Sequence, residues 1–308
     1  MRRWTYAFAT LMALIFISGC VDKSASSGQL EQVWGRRGLS EGRFQTPRAI
    51  AIDKADLLYI VDKLGRIQVF TTEGAFVRGW RTPAIENGKP CGMTIDQDGN
   101  LVVADTHYFR VLFYTPEGKL LEDRTIGGVK GQGEGEFHFL TDVAQDSKGN
   151  YYVGEYGEHD RIQKFSRDGK FLLQWGGHGR EPGKFVRPQG ITIDREDRIW
   201  VADACNHRVQ IFDATGNLLK VWGEHGKHMG QLSYPYGIEL DNEGHVYICE
   251  FGNNRVQKFT VDGEPLGYWG TSGRREGELH QPWGLARDSQ GRLHILDTYN
   301  HRVQRIRL

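Results

Sequence analysis

Between residues 29 and 308 the chain is written in short apolar runs of four to six residues, each ended by a polar or glycine-containing cluster. In the stretch after Pro188, apolar Ile191 and Ile193 alternate with polar neighbours, and Val209 and Ile211 do the same. A period of two is the signature of a strand whose successive side chains point to opposite faces. The pattern predicts strands over Gly190–Asp194, Arg198–Asp203, Arg208–Phe212 and Asn217–Trp222. Turns fall at Asp98-Gly99, Lys148-Gly149, Glu243-Gly244 and Gln290-Gly291, where glycine accepts the positive φ of a tight hairpin. No run has the length or periodicity of a core helix in this region.

The four-strand unit recurs. Segments starting at Pro47, Pro90, Leu140, Pro188, Pro235 and Pro282 align with one another, and the acids closing their first strands are Asp53, Asp96, Asp146, Asp194, Asp241 and Asp288. Their spacings are 43, 50, 48, 47 and 47 residues. Repeats of that length with four strands each predict an all-β propeller with four-stranded antiparallel blades. The last copy ends at its third strand, while GQLEQVWGRRG (28–38) matches GNLLKVWGEHG (216–226), a fourth strand and its following loop. The N-terminal strand is therefore expected to complete the last blade and close the ring.

The N-terminus has a different character. Met1-Arg2-Arg3 precedes fourteen uncharged residues from Trp4 to Ile17, then Ser18-Gly19-Cys20. That run falls short of the roughly 20 residues a spanning helix needs and fits an export signal. Its end resembles a bacterial lipobox, which implies cleavage after residue 19, acylation of Cys20 and anchorage in the bacterial cell envelope, facing the periplasm or the exterior. The expected organisation is signal peptide 1–19, lipidated Cys20 and tether 20–28, and propeller 29–308.

Composition agrees with this picture. Gly numbers 40 of 308 residues, a supply for many turns, and Lys plus Arg balance Asp plus Glu at 39 each. Loss of residues 1–19 removes Arg2 and Arg3 and leaves 37 basic against 39 acidic residues. A net of −2 and export both oppose nucleic-acid binding, which draws on excess basic charge. With Cys20 acylated, three cysteines remain, Cys91, Cys205 and Cys249, an odd set that makes no disulfide framework and reads as small buried thiols.

The motif Pro-x-Gly-(apolar)-x-(apolar)-Asp, followed by a strand ending in Asp or Glu and then Asn-x-Arg-(Val/Ile)-Gln, resembles the NHL repeat. It is strongest from Pro188 onward; Ala49, Leu112 and Leu140-Thr141-Asp142 depart from it in the first three copies. The resemblance implies a six-bladed β-propeller. Six arginines (Arg66, Arg110, Arg161, Arg208, Arg255, Arg302) and six acids (Asp62, Asp105, Glu155, Asp203, Glu250, Asp297) recur, one of each per blade. Presence in every blade marks them as fold-forming pairs. The Trp-Gly set Trp34, Trp175, Trp222 and Trp269 reads as packing between blades, and Asn206, Asn253 and Asn300 as loop residues bonding their own backbone.

Function is expected on the face carrying the longer connections, including Gly223–Tyr234, Gly270–Gln281 and Ile126–Phe139. On that face the residues after each proline position, Arg48, Cys91, Thr141, Gln189, Tyr236 and Trp283, start the innermost strands, and neighbouring loops add Tyr108, Phe109, Tyr156, His159, Phe251 and Tyr299. Of these, Arg48, Gln189, Tyr236, Trp283, Tyr108, Tyr156, Phe251 and Tyr299 are the candidate ligand contacts, suited to stacking plus a few directed hydrogen bonds. Peptidyl-hydroxyglycine amidating lyases, which this chain resembles in its repeats, hold zinc through His residues after the prolines; here none of the six positions is His. Lactonase propellers bind calcium through central oxygens, and only Asp142 is acidic near the strand starts. Neither a catalytic set nor a metal or cofactor is expected. The chain reads as a monomeric, lipid-anchored binding or scaffold module for a peptide, protein or envelope glycan; a divergent metal-dependent lyase or hydrolase is the alternative.

Overall fold

The computed structural model describes residues 27–308, so the lipobox and Cys20 lie outside the described residues. Six four-stranded antiparallel sheets stand around a central channel. Their innermost strands are Pro47–Ile52, Gly92–Ile95, Phe139–Gln145, Pro188–Ile193, Pro235–Leu240 and Leu285–Arg287, which number blades one to six in chain order. The strand Gln29–Trp34 pairs antiparallel with Arg302–Arg307, so blade six is built from both ends of the described chain and the ring is closed.

Burial within a blade follows from its position in the ring. The second and third strands have a neighbouring blade on each face and are mostly buried, Leu58–Asp62 and Arg66–Phe70 at every residue. The fourth strand Phe76–Arg81 alternates half-buried with exposed, because the wedge between blades opens outward. The apolar core is accordingly divided among six seams. One cluster joins Tyr59, Val61 and Val69 of blade one to Leu101, Val103 and Tyr114 of blade two, and the other five seams repeat the arrangement.

Two devices lock the seams. The outer-strand Trp of one blade lies on the hairpin glycine of the next: Trp34 on Gly74, Trp80 on Gly118, Trp175 on Gly216 and Trp222 on Gly263. Gly216 has φ +84°, and a Cβ there would stand 3.0 Å from the Trp175 ring, so glycine is required twice over. The second device fixes the connections between blades. Arg208 pairs through Nε with Asp203 Oδ2 at 2.8 Å, while its Nη atoms donate to the carbonyls of Arg180, Glu181 and Lys184 in the incoming loop. Gln210 completes the clamp: Nε2 donates to Lys184 O at 2.7 Å and Oε1 accepts from Gly183 N at 2.8 Å. The same Gln–Gly contact forms at Gln68, Gln163, Gln257 and Gln304.

This clamp gives the long connections a shared shape. Five of the six take one conformation, each plugged by a fully buried Phe44, Phe137, Phe185, Leu232 or Leu279. The exception enters blade two, where Leu112 replaces the clamp glutamine. There Arg110 still pairs with Asp105 at 2.9 Å, but Arg110 Nη2 and Asp105 Oδ1 find no partner among the described residues. The asparagines also differ from expectation. Asn206 Nδ2 donates to Asp203 Oδ2 and to Gly179 O, holding an acid and a distant loop rather than its own backbone, and Asn253 and Asn300 do the same.

Candidate functional site: the channel mouth

The six innermost strands run from the loop face inward and enclose a cavity of about 260 Å³. Three residues into each repeat the wall carries Ala49, Gly92, Asp142, Gly190, Gly237 and Gly284. Here the strands approach backbone to backbone: a Cβ on Gly190 would lie 2.3 Å from Tyr236 O, and one on Gly92 2.4 Å from Asp142 Cα. Asp142 is the one ionisable side chain at this level. Its Oδ2 accepts the N–H of Ile191 at 2.9 Å and its Oδ1 that of Val143 at 2.9 Å, satisfying amides left free on the inner edge of the sheets. Deeper in the channel Glu239 faces it. Burial raises both carboxyls to about 7; the charge of Asp142 adds to the rise at Glu239, and Arg287 opposes it.

Above this waist lies the mouth. Tyr236 stacks on Phe251 with centroids 4.6 Å apart, and Trp283 stands edge-on to both at 5.0 and 5.7 Å. The Arg48 guanidinium is 5.2 Å from the Trp283 ring centroid and its Nη1 reaches Cys91 Sγ at 3.7 Å. Gln189 is buried on the same wall. On the other side Tyr156 packs against Phe139 at 5.3 Å and carries the Arg187 guanidinium 4.7 Å from its ring. Burial pushes the Tyr236 hydroxyl up to about 12, with Arg187 pulling the other way. His107 of blade two is held below the usual imidazole range by burial, then by Arg48 and Lys89.

Of the eight candidates, Arg48, Gln189, Tyr236, Trp283, Phe251 and Tyr156 gather around this mouth. Tyr108 does not join them: its hydroxyl donates to Glu86 and accepts from Asn87 N, which pins the loop entering blade two. Tyr299 sits at the rim beside His280, 44% exposed. Cys91 and Cys205 are half-buried free thiols rather than core thiols, and only Cys249 is fully buried.

Arg187, His107 and Phe139 were not readable from the residues after the prolines. The available signal for Arg187 lay one residue earlier. Thr46, Arg187, Tyr234 and Gln281 precede prolines and have φ of 54°, 56°, 49° and 47°, a left-handed backbone that costs energy in non-glycine residues. Each is held by the preceding blade: His301 Nδ1 accepts Thr46 N–H at 3.0 Å, His207 Nδ1 accepts Tyr234 N–H at 3.1 Å, Asn254 Oδ1 accepts Gln281 N–H at 2.7 Å, and Asp160 Oδ2 accepts Arg187 N–H at 3.2 Å. Burial lowers the His207 and His301 pKa values, which suits acceptors that must stay neutral. In blade two Phe109 occupies this slot and cannot accept, and blade three opens without a proline.

Asp241, Glu243 and His245 converge closely enough to hold an ion, but they stand on the opposite face. The same hairpin position is filled elsewhere by structural donors: Arg198 to Asp194, Arg292 to Asp288 and Asn150 to Asp146. His245 to Asp241, at 2.8 Å, is one more of that series.

The NHL repeat profile matches residues 185–212, 232–259 and 279–306. NHL repeat-containing protein 3 of Mus musculus is 28% identical over 184 residues, 52% of this chain and 49% of that protein. Peptidyl-glycine alpha-amidating monooxygenase A of Xenopus laevis is 36% identical over 127 residues, 39% of this chain and 14% of that protein. The chain thus spans about half or less of these curated relatives. A streptogramin B lyase structure superposes with a TM-score of 0.64 at 14% identity, over 91% of this chain and 98% of that one, a likeness of fold.

Proposed function

We propose that this NHL-repeat six-bladed β-propeller is a lipid-anchored binding module of the bacterial cell envelope that takes a peptide, protein or glycan ligand at its channel mouth. The observation that carries the binding reading is the aromatic trio Tyr236–Phe251–Trp283 beside Arg48 and Gln189, open to the loop face above a channel narrowed by glycines. Rigid aromatic faces with a few directed polar groups are the usual make-up of a small ligand pocket. The scaffold around it is held by the Arg–acid–Gln clamps, so the mouth is preorganised. Binding of a tripeptide and of chitotriose by the purified chain, followed by calorimetry, tests it. One of the two is expected to bind, and Trp283→Ala with Tyr236→Ala to abolish binding with little change in the thermal midpoint. Loss of fold in that variant would show the rings to be core; no binding of either probe by the wild-type chain counts against the reading.

The anchor rests on Ser18-Gly19-Cys20 and the uncharged run before it. Cys20→Ser is expected to move the chain from the membrane to the soluble fraction and to remove an acyl-sized mass. A variant that stays acylated and membrane-bound refutes the anchor.

A further inference from the structure

The mouth holds cations without counter-charges. Arg66, Arg110, Arg161, Arg208, Arg255 and Arg302 each pair with a carboxylate, at 2.5 to 2.9 Å. Arg48 and Arg187 have no such partner among the described residues. Both have a buried Nε without a hydrogen bond, and their contacts are aromatic faces and a thiol. The carboxylates within reach are already used. Asp160 Oδ2 takes His178 Nδ1 and the Arg187 backbone N–H, and Asp142 is bonded to edge amides at the waist. Two further polar groups at the mouth can donate a hydrogen bond: the Gln189 amide, 6% exposed, and the Tyr236 hydroxyl, 7% exposed. Arg48 and Arg187 are half-buried; a partly desolvated guanidinium facing an aromatic ring recovers only part of its lost hydration, whereas an oxyanion supplies charge-assisted hydrogen bonds.

We infer that the mouth recognises an oxyanion, a carboxylate or phosphate group, carried on a planar apolar group. Arg48 and Arg187 take the anion, with the Gln189 amide and Tyr236 hydroxyl donating to it. The planar part lies against Tyr236, Phe251 and Trp283. This deepens the binding reading above and rests on it.

Benzoate, phenyl phosphate and their neutral counterpart benzamide, titrated by calorimetry into the purified full chain, test the inference. Benzoate or phenyl phosphate is expected to bind about tenfold or more tightly than benzamide, the difference a charge-assisted contact supplies. Arg48→Gln and Arg187→Gln are each expected to lose about tenfold for the anion and little for benzamide. The stronger of the two anions identifies the source of the charge. Equal affinity for benzamide overturns the oxyanion and leaves a neutral binding site; no affinity for any of the three, with tripeptide or chitotriose still bound, removes the inference alone. Silence to all five probes removes both readings. The comparison of charged and neutral probes needs only the wild-type chain, so a variant that fails to fold leaves the test standing.

Discussion

At the scale of single residues, the two channel carboxylates are placed at a cost in free energy. Asp142 and Glu239 are raised to about 7 in the folded chain from ordinary values of 3.8 and 4.5, chiefly by burial. The folded state therefore prefers them protonated. Their contribution to stability is full below pH of about 4 and is lost as pH rises through about 7, where the folded groups give up their protons. Because the two interact, they titrate as a pair. Asp142→Asn with Glu239→Gln is expected to raise the thermal midpoint relative to wild type at pH 8 and to lose that advantage at pH 4. A difference that does not change between the two pH values would place both groups in water. Glycine offers a second residue-scale contrast. Gly99 and Gly216 share φ of +84°, but only at Gly216 would a Cβ meet a ring. Gly99→Ala is expected to cost about 1 kcal/mol from backbone strain, and Gly216→Ala more, read by urea unfolding.

At the scale of elements, the blade is held by three side chains that are far apart in neither sequence nor space: the acid ending the second strand, and the Arg and Gln of the third. Removing Arg208 leaves Asp203 buried without a counter-charge and takes from the loop 180–184 the three contacts of the arginine, with those of Gln210 remaining. Arg208→Met is expected to lower stability by about 3–5 kcal/mol in denaturant titration. Arg110→Met removes a pair but no clamp, since Arg110 donates no hydrogen bond to the incoming loop among the described residues, and is expected to cost clearly less. Equal losses would show that the ion pair alone, not the loop it grips, stabilises a blade. The NHL-type motif was legible because each of its letters recurs. Loop similarity was not: the spacing of glycines in 35–44 or 177–185 shows turns, while the shared conformation depends on hydrogen bonds from another strand.

For the whole molecule, closure is the decisive contact. Gln29–Trp34 covers the edge of Arg302–Arg307, and Trp34 packs 4.8 Å from Phe70 of the next blade. Deleting residues 29–34 exposes a strand edge and opens one seam, so soluble oligomers in size-exclusion chromatography and a broadened unfolding transition are expected. A sharp transition at the wild-type midpoint would mean that five seams suffice. Strand periodicity, the 47-residue repeat and the matching N-terminal strand determined the ring from the sequence alone, because those signals are local or repeated sixfold. The same local reading placed Arg48, Gln189, Tyr236, Trp283, Phe251 and Tyr156 at one mouth. Only the tertiary structure separated Tyr108 and Tyr299 from them, added Arg187 and His107, and left two arginines without acids. Such facts are differences between blades rather than properties of the repeat, and they arise where side chains from six blades converge around one axis.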